Sequence, residues 1–251
     1  MRTAKSWIGL ITLAVVFPFA WADATPLTVA NHSFETPLVS SGTFIASDSS
    51  APTGWSIYGS LQSGFRFFGA LNPTGTTLYS GGAPDGSNVG VVFLFTPESV
   101  EGGLQQTLGD TLQLSTQYTL TVDVGNIAND STPPHNSFNF TGFPGYRVEL
   151  LAGGTVIASD NNTLAPSEGS FLTSEVTFTT GTSHALAGQA LGLRLINLNG
   201  SGIEVNFDNV RLDASAVPEP SSLGLILVGL FVAYRTASPR RSLRRGFCPR
   251  N

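Results

Sequence analysis

The stretch Tyr118-Thr119-Leu120-Thr121-Val122-Asp123-Val124 alternates apolar and polar side chains without a break. Successive side chains of a strand point to opposite faces, so this period of two marks a strand with one face on a core. The same period runs through Tyr146-Arg147-Val148-Glu149-Leu150 and Leu191-Gly192-Leu193-Arg194-Leu195. Val89-Gly90-Val91-Val92-Phe93-Leu94-Phe95 is apolar throughout and reads as a strand covered on both sides. In Leu151-Ala152-Gly153-Gly154-Thr155-Val156 the glycine pair supplies the positive φ of a tight hairpin turn. No segment between residues 23 and 213 sustains a helical period. About ten such strands, separated by Gly, Pro and Asn, predict an all-β antiparallel sandwich. Residues 126–145, with Pro133, Pro134 and Pro144, read as a long loop, and residues 214–222 as a linker.

One strand carries a phase slip. Ile203, Val205 and Phe207 share one phase, whereas Val210 and Leu212 fall on the other. A one-residue slip turns every later side chain to the wrong face, so a β-bulge is expected at Asp208-Asn209.

Charge is distributed unevenly. Residues 23–217 hold 16 Asp and Glu against only Arg66, Arg147, Arg194 and Arg211, a net charge of −12. A body this acidic repels nucleic acid, which requires clustered cations. The sole cysteine is Cys248, so the body has neither disulfide nor Cys-ligated zinc. The ends are basic. Arg2 and Lys5 precede an apolar run over residues 7–20, and Ala20-Trp21-Ala22 fits the small-x-small rule of signal peptidase. A secretory signal over residues 1–22 is therefore expected, with export across a bacterial inner membrane. Near the other end, Pro218-Glu219-Pro220 precedes an apolar run at residues 223–234 and a tail at 235–251 with six arginines. A stiff break, a short membrane helix and positive-inside charge follow in order.

That order resembles the PEP-CTERM sorting signal. The resemblance implies recognition by an exosortase, a transient membrane anchor and delivery to the cell surface or extracellular matrix. Two further motifs bracket the body: Val29-Ala30-Asn31-His32-Ser33-Phe34-Glu35 with Pro52-Thr53-Gly54-Trp55, and Val205-Asn206-Phe207-Asp208-Asn209-Val210-Arg211-Leu212. Together they resemble the first and last strands of galactose-binding-like jelly rolls, including family 4/9-type carbohydrate-binding modules. The resemblance implies a jelly roll with a structural calcium held by Glu35 and Asp208, completed near Asn31. It also implies a glycan or exopolysaccharide ligand. The richest aromatic region supplies Trp55, Tyr58, Arg66 and Tyr79 as candidate sugar contacts, through ring faces and hydrogen-bonding groups.

Nothing in the sequence announces catalysis. His32, His135 and His184 are scattered, and no nucleophile elbow, zinc motif or phosphate loop occurs. Sixteen carboxylates allow too many acid–base pairings to single one out. The expectation is thus a non-enzymatic carbohydrate-binding surface protein, or else a structural matrix protein without a specific small ligand.

Overall fold

The computed structural model describes residues 23–59, 66–95 and 100–217. The expected signal peptide, the sorting motif at Pro218, Glu219 and Pro220, the apolar run and the arginine tail lie outside these residues. Asp23–Val217 forms one compact unit.

Among the described residues there are twelve strands and no α-helix, as the period-two pattern requires. One sheet joins, in spatial order, β10 (Ser170–Thr179), β7 (Thr116–Asn126), β12 (Glu204–Ala216), β5 (Val89–Leu94), β4 (Arg66–Asn72) and β2 (Thr43–Ser47). The short β1 (Thr25–Leu27) also pairs with β12, beyond its bulge. The second sheet runs β3 (Ser56–Tyr58), β6 (Gly102–Thr111), β11 (Ala190–Asn197), β8 (Tyr146–Ala152) and β9 (Thr155–Asn161). All the strand pairs are antiparallel.

The core between the sheets comes from the phases read in the sequence. Leu120, Val122 and Val124 of β7 meet Val148 and Leu150 of β8 and Leu191, Leu193 and Leu195 of β11. Gly153 and Gly154, at φ 56° and 80°, turn β8 into β9. The bulge on β12 lies where the phase slips: the register with β7 shifts between Asp208 and Arg211, with Asn209 at φ 52°. It lets Val205, Phe207, Val210 and Leu212 all enter one core. Ile203 precedes the strand and packs elsewhere, against a second apolar cluster. The expected linker also begins later than residue 214, because β12 continues through Ala216, paired with Thr116.

Candidate active site

The second cluster lies on the outer face of the seven-stranded sheet. On β4, Phe68 and Ala70 face the main core while Leu71 joins the outer cluster. On β5, Val92 faces inward, and Val89, Val91 and Phe93 face outward. The corresponding outward residues of β12 are Glu204, Asn206 and Asp208, at 6%, 0% and 0% exposure. An amphipathic strand would leave this face to water. Here Leu78 and Tyr79 from the β4–β5 connection, and Ile127 and Phe140 from the long loop after β7, close over it.

Beneath that cover lies a partly enclosed chamber of about 250 Å³. Sheet residues Phe44, Phe67, Val91 and Phe93 form its floor, and loop residues Ile127, Phe138 and Phe140 its opposite wall. The aromatic rings touch in series. Phe67 meets Phe93 edge-on at 5.8 Å, Phe93 meets Phe138 at 5.7 Å, and Phe138 meets Phe140 at 5.6 Å. His135 lies in the short 3-10 turn His135–Ser137, and its Nε2 is 3.0 Å from the carbonyl of Gly42. That contact ties the long loop to the approach of β2.

Among the described residues, Glu204 is the one carboxylate lining the chamber. Its Oε1 accepts a hydrogen bond from Asn206 Nδ2 at 2.9 Å. Asn206 in turn donates to the Gly90 carbonyl at 3.1 Å and accepts from the Tyr79 hydroxyl at 2.8 Å. The amide is thus fixed in one orientation, with its NH2 toward Glu204. Burial pushes the Glu204 carboxyl up to about 7, the Asn206 bond opposing only in part. Both protonation states are therefore populated near neutrality, the condition for a general acid that also takes a proton back. Burial, and then the charge of Glu204, hold Tyr79 well above the usual phenol range, so it stays a donor.

The carboxylate next along the row behaves differently. Asp208 accepts backbone N–H bonds from Asp85 at 2.9 Å and Asn209 at 2.7 Å. Burial outweighs these bonds, nearby Asp85 and Asp123 add repulsion, and the carboxyl is pushed up to about 8. It clasps the loop after Tyr79 and does not line the chamber.

The residues singled out in the sequence fall at separate places, except that Glu35 and Asp208 both hold the 85–88 loop. Glu35 accepts the N–H groups of Ser87 and Asn88, both at 2.7 Å, and so caps a turn of the loop that Asp208 holds. Asn31 is spent locally: its Oδ1 accepts from Thr36 N, and its Nδ2 donates to the Thr36 and Thr53 carbonyls. No group of three or more His, Cys, Asp or Glu that could hold a metal ion occurs among the described residues. Trp55 is buried and stacks on Phe34 at 5.4 Å. Tyr58 sits on the other sheet, with the Arg194 guanidinium 4.5 Å above its ring and Glu101 at its hydroxyl. Arg66 donates to the Asp48 carbonyl. Tyr79, with its ring 4.3 Å from Phe171, is fully covered. No aromatic platform for a sugar results from these four.

Comparison with known proteins shows the family. Residues 25–213 match the family model described as HpiC1-like, HpiC1 cyclase. The chain belongs to the HpiC1-like cyclase family. It is similar to solved cyclases of Fischerella sp. TAU over 78% of its own length and 100% of theirs, at a TM-score of 0.70. One is the Stig cyclase Fisc in complex with (3Z)-3-(1-methyl-2-pyrrolidinylidene)-3H-indole, 37% identical. Another is a cyclase in complex with 4-(1H-indol-3-yl)butan-2-one, 38% identical. An apo cyclase from Fischerella sp. is 36% identical, with a TM-score of 0.67. No match was found among curated proteins.

An HpiC1-like cyclase is an enzyme, which overturns the expectation of a non-catalytic carbohydrate-binding or matrix protein. The bracketing motifs correctly indicated a β-sandwich and misdirected the ligand. The site was missed because Glu204-Val205-Asn206 has the alternation of a strand with a wet face. The available signal was the long loop at 126–145, with Phe138 and Phe140 within it: aromatic residues in a polar loop need something apolar to cover.

Proposed function

We propose that this cyclase closes rings in an uncharged, indole-bearing substrate by proton-initiated isomerisation, with Glu204 as the acid. The observation that carries this is one carboxyl, raised to about 7, facing a chamber walled by phenylalanines. Protonated Glu204 gives its proton to one carbon of an unsaturated bond, leaving a cationic carbon. A second π bond of the same molecule attacks that carbon, forming the new carbon–carbon bond. Loss of a proton from the cyclised cation, back to the Glu204 carboxylate, restores the enzyme, and substrate and product have the same composition. The faces of Phe93 and Phe138 stabilise the passing cation by their ring quadrupoles. The apolar wall keeps out water that would trap the cation as an alcohol. The indole ligands of the similar Fischerella cyclases support the substrate class.

The test is turnover of an indole carrying two alkenyl groups in deuterated buffer. The expected product is an isomer of the substrate carrying one carbon-bound deuterium. A hydrated product, or a cyclised one without solvent deuterium, would contradict a proton-initiated path.

A structural calcium also belongs to this proposal, at the loop that Glu35 and Asp208 hold. Asn88 Oδ1 is buried without a hydrogen-bond donor, next to the turn that Glu35 caps. A lone buried acceptor beside a carboxylate suits a hard cation. Bound there, the ion would add rigidity to the loop that follows Tyr79. At 100 times its dissociation constant, calcium should stabilise the fold by about 2.7 kcal/mol. Thermal melts in calcium and in EDTA measure this, and superimposed melts would remove calcium from the account. Export and sorting are likewise proposed from residues 1–22 and 218–251; mass spectrometry of exported material, read for cleavage after Ala22, tests them.

A further inference from the structure

The chamber opens on a second space. A groove of about 630 Å³ shares Phe67, Phe93 and Phe138 with it as a common wall. Beyond that wall the groove continues along Phe95, Asn139, Thr141 and Ser201. Among the described residues its lining contains no Asp, Glu, Lys, Arg or His, which suits an uncharged occupant. One side is aromatic, with Phe95 60% exposed, and the other carries amides and hydroxyls.

The groove is built into the fold. Its far side is the 198–202 turn, which packs backbone to backbone on the end of the long loop. Gly200 N donates to the Pro144 carbonyl at 2.9 Å, and Leu198 N to Gly145 at 3.2 Å. A Cβ on Gly142 would lie 2.2 Å from the Ser201 carbonyl oxygen, and Gly142 has φ 99°. Only glycine permits that approach. The turn therefore cannot settle inward to fill the groove.

Size points the same way. Sites for drug-sized ligands run from roughly 300 to 1,000 Å³, and the chamber alone, at about 250 Å³, falls short. An occupant large enough to bring two π bonds together beside Glu204 projects past Phe138.

We propose that the groove is the second subsite of the substrate: an aromatic head lies in the chamber against Glu204, and an uncharged, mainly aliphatic arm lies in the groove. Phe138, shared by both spaces, is the partition that sets where head ends and arm begins. This inference rests on the cyclase reading of the chamber.

The test compares indole with 4-(1H-indol-3-yl)butan-2-one by calorimetric titration on the folded protein. Wild type should bind the arm-bearing probe at least tenfold more tightly. Phe95→Arg places a charge in the groove and Asn139→Trp fills it. Both positions are at the surface, and each variant is checked by its melting curve. Each should bring the ratio of the two affinities close to one and leave the affinity for indole within about twofold. Equal affinities in wild type, or a ratio unchanged in both variants, would overturn the subsite. Ala46→Phe fills the chamber and should weaken indole itself at least tenfold. If it leaves indole binding intact, the chamber reading fails, and that result is distinct from a groove that does not discriminate.

Discussion

Glu204→Gln should lower turnover by about 10² to 10⁴-fold, the range supplied by a positioned general acid, while indole still binds within a few-fold of wild type. Gln keeps the size and an acceptor for Asn206 but has no proton to give. The fold should not suffer. Glu204 is 6% exposed and its ionised form is costly there, so the amide should raise the melting temperature at alkaline pH. Lost activity with gained stability separates a catalytic role from a structural one. If Glu204→Gln retained turnover within threefold, the acid would have to be sought elsewhere.

The second large effect is on stability against pH. Glu204 and Asp208 have folded-state values near 7 and 8, above the usual carboxylate range. Between the unfolded and folded values the native state binds more protons than the unfolded chain, so stability falls as pH rises. Their contribution is complete below about pH 4 and is lost through pH 7 for Glu204 and pH 8 for Asp208. Each is worth on the order of a few kcal/mol, since a tenfold change in acidity corresponds to about 1.4 kcal/mol. Other carboxylates act with the opposite sign in a separate window. The Thr132 hydroxyl, with the N–H groups of Thr77 and Thr132, holds Asp130 well below its ordinary range. Hydrogen bonds from Arg147 lower Glu101. These groups lose stability only as the medium becomes strongly acidic. Thermal melts across pH should therefore peak on the acid side of neutrality and decline toward pH 8. For a domain of this size each kcal/mol is worth about 2–4 °C. Glu204→Gln and Asp208→Asn should each flatten the decline. A curve that rises from pH 5 to pH 8 would mean that both carboxyls ionise normally.

The fold was legible where a side chain's neighbours come from its own strand period. Tyr118 to Val124 and Tyr146 to Leu150 have the phases that the alternation requires, and the bulge follows from the slip between Phe207 and Val210. The doubly covered β5 was legible too, because no polar residue occupies either of its faces. The site was not. Period two separates two faces of a strand but cannot say that the polar one is roofed. The roof comes from residues far along the chain: Tyr79 bonds Asn206 across 127 positions, and Asp208 holds the backbone of Asp85 across 123. The same distance explains the misplaced sugar platform. Trp55 and Tyr58 are three residues apart on the sequence, yet one stacks on Phe34 and the other lies under Arg194 on the second sheet. The two expected calcium carboxylates, Glu35 and Asp208, both accept backbone N–H groups of one loop.

Glu204 is central here as a proton donor poised near neutrality inside an apolar chamber, and its titration tests this role most directly. Carbon-13 NMR of the glutamate side-chain carboxyls, with Glu204→Gln to assign the resonance, follows that one group through pH. The expected midpoint is near 7, well above that of an ordinary glutamate, and it should move upward when an indole fills the chamber and excludes more water. A midpoint between about 4 and 5, the range of a solvated glutamate, would contradict the assignment.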